Sequence, residues 1–140
     1  TLKAFRDKYI DIFLPESYRP YIHVLDLANV ITKLIENFES AKNNVFNIGF
    51  ENENYKKIEI ANSILEFIPD LNIDILKEGG DKRDYQVDFS KLHKFIKLEK
   101  NYNVSKSVKE ILSILNQNLI SDSDNEKYYN TTPQLSEVTN

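Results

Sequence analysis

The chain has 140 residues, which is enough for one modest domain with its own hydrophobic core. Its formal net charge of −4 argues against general nucleic-acid binding, because proteins that bind nucleic acids present a basic surface to the phosphates. The absence of cysteine excludes disulfides and thiolate metal sites, and the two histidines, His23 and His93, are too far apart in sequence to suggest a zinc site.

The first third of the chain alternates short strands with an amphipathic helix. Residues 9–14 are mostly apolar and β-prone and predict a strand, and residues 21–24 predict a second strand after Pro20. Asp26 is then a suitable N-cap, because its carboxylate can accept the free amide hydrogens of a first helical turn. The helix that follows carries apolar residues at the spacing of one helical face: Leu27, Val30, Ile31, Leu34, Ile35 and Phe38.

The middle of the chain continues the same mixture of elements. Residues 44–49 predict a buried strand, and a helix over residues 58–68 follows and ends at Pro69. Residues 71–75 alternate apolar and polar side chains and predict a half-buried strand, and residues 85–88 predict a short one. Mixed helices and strands with short connections indicate one compact α/β layer structure.

The last predicted elements are two helices and a tail. Ser90 is predicted to cap a short helix, and Ser107 with Glu110 forms the pattern of a capping box at the start of the final helix. Beyond about Leu119 the apolar periodicity ends and polar residues dominate. We therefore predict a folded region over residues 1–118 and a disordered tail over residues 119–140.

Three sequence blocks occur in a distinctive order. Residues 18–28 read YRPYIHVLDLA, residues 45–49 read VFNIG one predicted helix later, and residues 81–91 read DKRDYQVDFSK. These blocks resemble those of the extended short-chain dehydrogenase/reductase family, in its branch of nucleotide-sugar epimerases and dehydratases. The resemblance covers roughly residues 1–120. It implies the α/β fold of the carboxy-terminal, substrate-binding part of such an enzyme, without the Rossmann half.

The same resemblance implies that the complete enzyme uses NAD or NADP, bound to a glycine-rich turn in an amino-terminal Rossmann half. This chain has only three glycines, Gly49, Gly79 and Gly80, and no such turn. Tyr102 and Lys106 match the family's catalytic Tyr-x-x-x-Lys pattern, but they follow the substrate-binding blocks, so we interpret the match as chance. We expect this chain alone to carry no catalytic residue, bind no cofactor and be inactive.

Four side chains are candidates for binding the nucleotide-sugar that the resemblance implies as substrate. Arg19 and Arg83 lie in the family blocks, and a guanidinium can bind a phosphate through two parallel hydrogen bonds. Each could instead form an ordinary ion pair, and the second phosphate contact is Arg83, Lys77 or neither. Tyr21 either lines the nucleotide pocket or is a half-buried strand aromatic. We interpret His23 as a structural histidine.

The expected partners are therefore a nucleotide-sugar and the missing amino-terminal Rossmann half, with a homodimer of the complete enzyme as a further candidate. No apolar run is long enough to cross a membrane and no signal peptide is evident, so we expect a cytoplasmic protein without membrane contact. The alternative function is a non-catalytic binding or interaction module that docks on a separate cofactor-binding partner.

Overall fold

The structure is a computed structural model that describes residues 1–123 and residue 125. Within these residues the chain forms short helices and strands connected by extended segments. The helices are α1 (Leu2–Asp7), α2 (Val24–Glu36), α3 (Phe38–Ala41), α4 (Lys57–Leu65), α5 (Ser90–Phe95) and α6 (Val104–Asn116), with a 3-10 turn at Glu51–Glu53. The strands are β1 (Tyr9–Phe13), β2 (Tyr18–Pro20), β3 (Asn54–Lys56) and β4 (Asn72–Leu76).

The strands form two separate pairs. β1 runs parallel to β4, with Tyr9 opposite Asn72 and Phe13 opposite Leu76. β2 runs antiparallel to β3, with Arg19 opposite Tyr55. The strands predicted at residues 9–14 and 71–75 are thus confirmed as β1 and β4. Because a two-stranded ribbon buries little surface by itself, both pairs depend on helices packed against them.

Two clusters of buried apolar side chains form the core. The first lies between α1, α4 and α6 and consists of Ala4, Ile64, Ile68, Leu71, Val104, Val108 and Leu112. Its α6 members are spaced by four residues, which puts them on one helical face. The second joins α2 to α5 through Val30, Leu92 and Ile96, with the rings of Phe46 and Phe95 in tilted contact at its edge. The mixed α/β fold class predicted from the sequence is confirmed.

Asp26 is not the N-cap of α2, contrary to the sequence prediction. The helix begins at Val24, three residues before the predicted start, and its cap is His23, whose Nδ1 accepts a hydrogen bond from the Leu25 amide at 3.2 Å. Asp26 is only 2% exposed, and its carboxylate accepts the backbone amides of Asn101 and Tyr102 at 3.0–3.3 Å. It therefore fixes the segment before α6 to the start of α2.

Three predicted strands are wrong. Residues 21–24, 44–49 and 85–88 have no strand conformation, and β2 lies three residues before the first of them. Their apolar pattern is suitable for a strand, but a strand also needs a neighbouring backbone that completes its hydrogen bonds. In the described part of the chain no strand lies beside these segments. A pattern within one segment cannot supply that information.

Helix starts also differ from the sequence prediction. α6 begins at Val104 because the Asn103 side chain caps it and accepts the Lys106 amide at 2.8 Å. Ser107 therefore lies inside the helix and does not form a capping box. At α5 the Asp88 carboxylate accepts the Ser90 amide at 2.7 Å, so Ser90 is not the cap. Residues 124 and 126–140 of the predicted tail lie outside the described residues.

We expect Asp26→Ala to lower the free energy of unfolding by about 3 kcal/mol, because it leaves two backbone amides without their buried acceptor. Urea denaturation followed by circular dichroism measures this change. Asp70→Ala is the matched control, since Asp70 is exposed and only forms a surface ion pair with Lys8 at 3.4 Å. Asp70→Ala is expected to lower the free energy of unfolding by less than about 1 kcal/mol. Equal losses in the two variants would contradict the structural role of Asp26.

Candidate functional site

Arg19 lies on β2, with only 13% of its side chain exposed. Its Nη1 donates to the Tyr18 carbonyl oxygen at 2.6 Å, and its guanidinium carbon lies 5.1 Å from the centre of the Tyr85 ring. Nη2 lies 3.1 Å from Asp81 Oδ2, which is within ion-pair range, yet no acceptor is aligned for a hydrogen bond to this buried nitrogen. Arg19 is thus held in place, and its Nη2 meets Asp81 at ion-pair distance without a well-aligned hydrogen bond.

Arg83 binds the same carboxylate from the solvent side. Its Nε lies 2.9 Å from both oxygens of Asp81, and its Nη2 lies 2.7 Å from Oδ2. These hydrogen bonds, with a further one from the Arg83 amide, hold the pKa of Asp81 far below its usual range. Asp81 is therefore ionised at neutral pH, and the cluster of Arg19, Arg83 and Asp81 carries one net positive charge. The two predicted arginines meet at one point.

The loop that carries Asp81 begins with two glycines and is held at Asp81 by Lys57. Gly79 and Gly80 have φ angles of 107° and 64°, which side chains with a Cβ rarely adopt. Lys57 then donates from Nζ to the carbonyl oxygen of Asp81 at 3.2 Å and to that of Phe13 at 2.9 Å. The backbone at Asp81 is fixed to β1, while its carboxylate faces the two arginines.

Side chains hold the segment after Asp81 in an extended conformation. Asn54 accepts the Val87 amide at 2.9 Å and donates to the Val87 carbonyl oxygen at 3.1 Å, as a neighbouring strand would. Glu51 accepts the Phe89 amide at 2.8 Å. Together these contacts fix the chain on both sides of Asp88 and help to place the nearby Tyr85 ring against the Arg19 guanidinium.

Tyr21 is half-buried, with its ring edge-on to Tyr55 at 6.3 Å. Burial raises the pKa of its hydroxyl, and the positive charge of Arg19 acts in the opposite direction. Tyr21 and Tyr85 both line a depression of about 310 Å³, and Tyr21 and Asp81 both line another of about 450 Å³. Tyr21 therefore lies next to the arginine cluster.

Lys77 does not join this cluster. It follows β4 directly, its side chain is exposed, and within the described part of the chain it forms neither a hydrogen bond nor an ion pair.

The sequence analysis did not predict Asp81, Tyr85 and Asn54 as residues of this site. Asp81 and Tyr85 belong to the block at residues 81–91, whereas nothing in the local pattern marks Asn54.

His23 and the Tyr-x-x-x-Lys match have local partners. His23 Nδ1 accepts the helix-capping bond from the Leu25 amide, and His23 Nε2 lies 3.1 Å from Glu110 Oε2, which is within ion-pair distance. The His23 ring stacks on the Tyr102 ring with 3.8 Å between their centres. The Nζ atom of Lys106 lies 4.2 Å from the centre of the same Tyr102 ring. A mostly apolar depression of about 570 Å³ borders His23 and Glu110, but neither arginine lines it.

The described residues do not fit a dinucleotide cofactor. Gly79 and Gly80 precede an exposed turn that leads to no helix before Ser90. Gly49 is needed for packing, because a Cβ there would lie 2.5 Å from the Phe89 ring. Over residues 1–123 and 125 there is also no group of three side chains that could hold a metal ion. None of the helices described is long and apolar enough to cross a membrane.

No protein-family model matches the sequence. Two solved structures have a similar fold. L-threonine dehydrogenase from Phytophthora infestans matches 82% of this chain with a TM-score of 0.67 at 18% identity. The dTDP-glucose 4,6-dehydratase from Bacillus anthracis, solved in complex with NAD, matches 91% with a TM-score of 0.62 at 19% identity. The chain spans 39% of the length of each. Its small mixed α/β fold corresponds to part of each of these two structures.

We expect Asn54→Ala to increase the hydrogen-exchange rate of the Val87 amide about 10-fold, because the variant removes its acceptor at a cost of about 1.4 kcal/mol. Exchange followed by NMR measures the rate. Asn52→Ala is the control, since Asn52 is exposed in the neighbouring 3-10 turn. An unchanged Val87 rate in Asn54→Ala would show that this side chain does not hold the segment.

Proposed function

We propose that this chain is the nucleotide-sugar-binding region of an NAD(P)-dependent nucleotide-sugar epimerase or dehydratase, in which Arg19 contacts the diphosphate. The observation that carries the proposal is the state of the Arg19 guanidinium. It is mostly buried and positioned by Tyr18 and Tyr85, yet one nitrogen has no well-aligned acceptor. A phosphate offers several oxygens at different angles and could supply that acceptor.

The surroundings of Arg19 suit a nucleotide diphosphate. Arg83 adds a second guanidinium beside the first, and both groups contact Asp81. The aromatic rings of Tyr21 and Tyr85 line the neighbouring depression, where a base or sugar could pack. Lys77 follows β4 in the same exposed loop as Asp81 and remains a secondary candidate for the outer phosphate.

The oxidation chemistry of such an enzyme belongs to NAD(P), which a dinucleotide-binding half would supply. The role of this chain's residues is to bind and orient the substrate, so that the sugar carbon meets the cofactor. We therefore propose that the chain alone does not turn over nucleotide-sugars. In support, its described residues lack a dinucleotide cradle, and the dTDP-glucose 4,6-dehydratase with the similar fold was solved with NAD.

We expect Arg19→Lys to weaken nucleoside diphosphate binding by roughly 10- to 150-fold, which corresponds to about 1.5–3 kcal/mol. Lysine keeps the positive charge but loses the planar fork, so the loss reports on geometry. The measurement is an NMR titration of this chain with thymidine, uridine, cytidine and guanosine diphosphates.

Arg6→Lys is the matched control, because it makes the same chemical change on α1, where Arg6 contacts Asp7 at 2.8 Å. The affinity of Arg6→Lys for nucleoside diphosphates is expected to remain within about twofold of the parent's affinity. If Arg19→Lys also stays within twofold, Arg19 is an ordinary structural cation and the proposed phosphate contact is wrong.

An apolar surface on α2 supports docking to a dinucleotide-binding half, in the same or a separate chain. Val24, Ile31 and Ile35 lie at i, i+7 and i+11, and Ile35 is 67% exposed. Phe38, which is 60% exposed, extends the surface and lines the same depression as Ile31 and Ile35. Exposed apolar side chains that adjoin one another mark an interaction surface. The chain spans only 39% of the similar structures, so the remaining part is the occupant that we propose.

The same surface supports the alternative function, a non-catalytic module that docks on a separate cofactor-binding protein. The two functions differ in the diphosphate site. A module that only docks does not need Arg19 to bind phosphate, whereas a substrate-binding region does. Loss of nucleoside diphosphate binding in Arg19→Lys would therefore favour the enzyme region over the module.

We expect the double variant Ile35→Gln, Phe38→Gln to bind much less hydrophobic dye than the parent, because it removes two large, exposed side chains of the apolar surface. Dye fluorescence measures this, and the thermal midpoint should change by only a few degrees. Leu25→Gln is the control, since Leu25 is 52% exposed on the same helix but does not belong to the apolar surface. A parent that binds no dye would contradict an exposed docking surface.

A further inference from the structure

We infer that Asp81 is an internal anion that occupies the position of the ligand's phosphate, so that an incoming diphosphate must displace it. The inference rests on the proposed diphosphate contact of Arg19. Its basis is that one oxygen, Asp81 Oδ2, lies 3.1 Å from Arg19 Nη2 and 2.7 Å from Arg83 Nη2. The carboxylate oxygens stand where phosphate oxygens would bind between two guanidinium groups.

Asp81 fits Arg83 much better than it fits Arg19. Arg83 contacts both carboxylate oxygens through Nε at 2.9 Å, whereas the buried Arg19 Nη2 has no aligned acceptor despite the short distance. A carboxylate has two oxygens in one plane, and the Arg83 fork already uses both. A diphosphate has more oxygens, arranged around two phosphorus atoms, and could serve both guanidinium groups at once. Asp81 is therefore an incomplete occupant of this position.

The Asp81 carboxylate can rotate away from the two arginines while the backbone around it stays in place. It is 40% exposed, and the Arg83 side chain that holds it most firmly is 72% exposed. Lys57 holds the Asp81 backbone through its carbonyl oxygen, so a side-chain rotation suffices to release the carboxylate. Gly79 and Gly80 allow the preceding turn to adjust.

An internal anion reduces the affinity for external anions. The site is competent for phosphate only in the fraction of molecules whose Asp81 has moved away, and the apparent affinity falls in proportion to that fraction. Replacing Asp81 by a neutral side chain removes this competition. The same replacement raises the net charge of the cluster from one to two positive charges. Both effects predict tighter phosphate binding, which is the opposite of the usual result of deleting a binding-site residue.

The test is a titration of the full chain with inorganic pyrophosphate at constant ionic strength, followed by the NMR signals of the arginine Nε–H groups. The chain has three arginines, so the signals of Arg19 and Arg83 can be assigned by substitution. We expect Asp81→Asn to bind pyrophosphate about 10-fold more tightly than the parent, or about 1.4 kcal/mol.

Two further variants separate this effect from general changes. Glu78→Gln removes one negative charge from the same exposed loop, and its affinity should stay within about twofold of the parent. Asp81→Glu keeps a carboxylate on a longer side chain and should not reproduce the gain of Asp81→Asn. Thermal melts of all variants report whether the loop change affects folding.

The outcomes distinguish the two proposals. If Asp81→Asn binds no more tightly than the parent or Glu78→Gln, while Arg19 responds to pyrophosphate in each, the internal-anion inference is wrong and the phosphate contact of Arg19 stands. If Arg19 responds in neither the parent nor Asp81→Asn, the phosphate contact itself is wrong, and the inference that rests on it is also overturned.

Discussion

Several irregular backbone segments of this protein have no strand beside them, so side chains must satisfy their amides and carbonyl groups. Asn54 binds both backbone polar groups of Val87, and Glu51 accepts the amide of Phe89. Asp26 does the same for Asn101 and Tyr102. Buried backbone groups without partners would cost about 1–3 kcal/mol each, so the extended segments rely on these few side chains.

This arrangement has a direct consequence for the candidate site. Arg19 lies on β2, which is fixed by pairing with β3, while Asp81 and Arg83 lie on a loop held at a few points. The site therefore combines one positioned guanidinium with one exposed guanidinium. A carboxylate between them neutralises part of their charge in the absence of ligand. This combination is what the proposed displacement of Asp81 by a diphosphate requires.

Helix α2 shows a complementary pattern, in which one apolar face is buried and another is exposed. α2 buries Val30 against Leu92, yet it leaves Ile31 and Ile35 exposed. A helix with apolar residues on two faces is typical of a layer covered on both sides. The matched structures are more than twice as long as this chain, which agrees with a layer that packs against further structure.

The sequence by itself determined the helices α2, α4 and α6, the strands β1 and β4, and the α/β class, because these depend on periodic apolar positions within short segments. It also marked Arg19 and Arg83 as candidate phosphate contacts, through blocks that resemble a known family. Only the tertiary structure decided that residues 44–49 and 85–88 are not strands here, that Asp26 binds residues 101–102, and that Asp81 lies between the arginines. Strand pairing and charge contacts join residues far apart in sequence, so no local pattern could specify them.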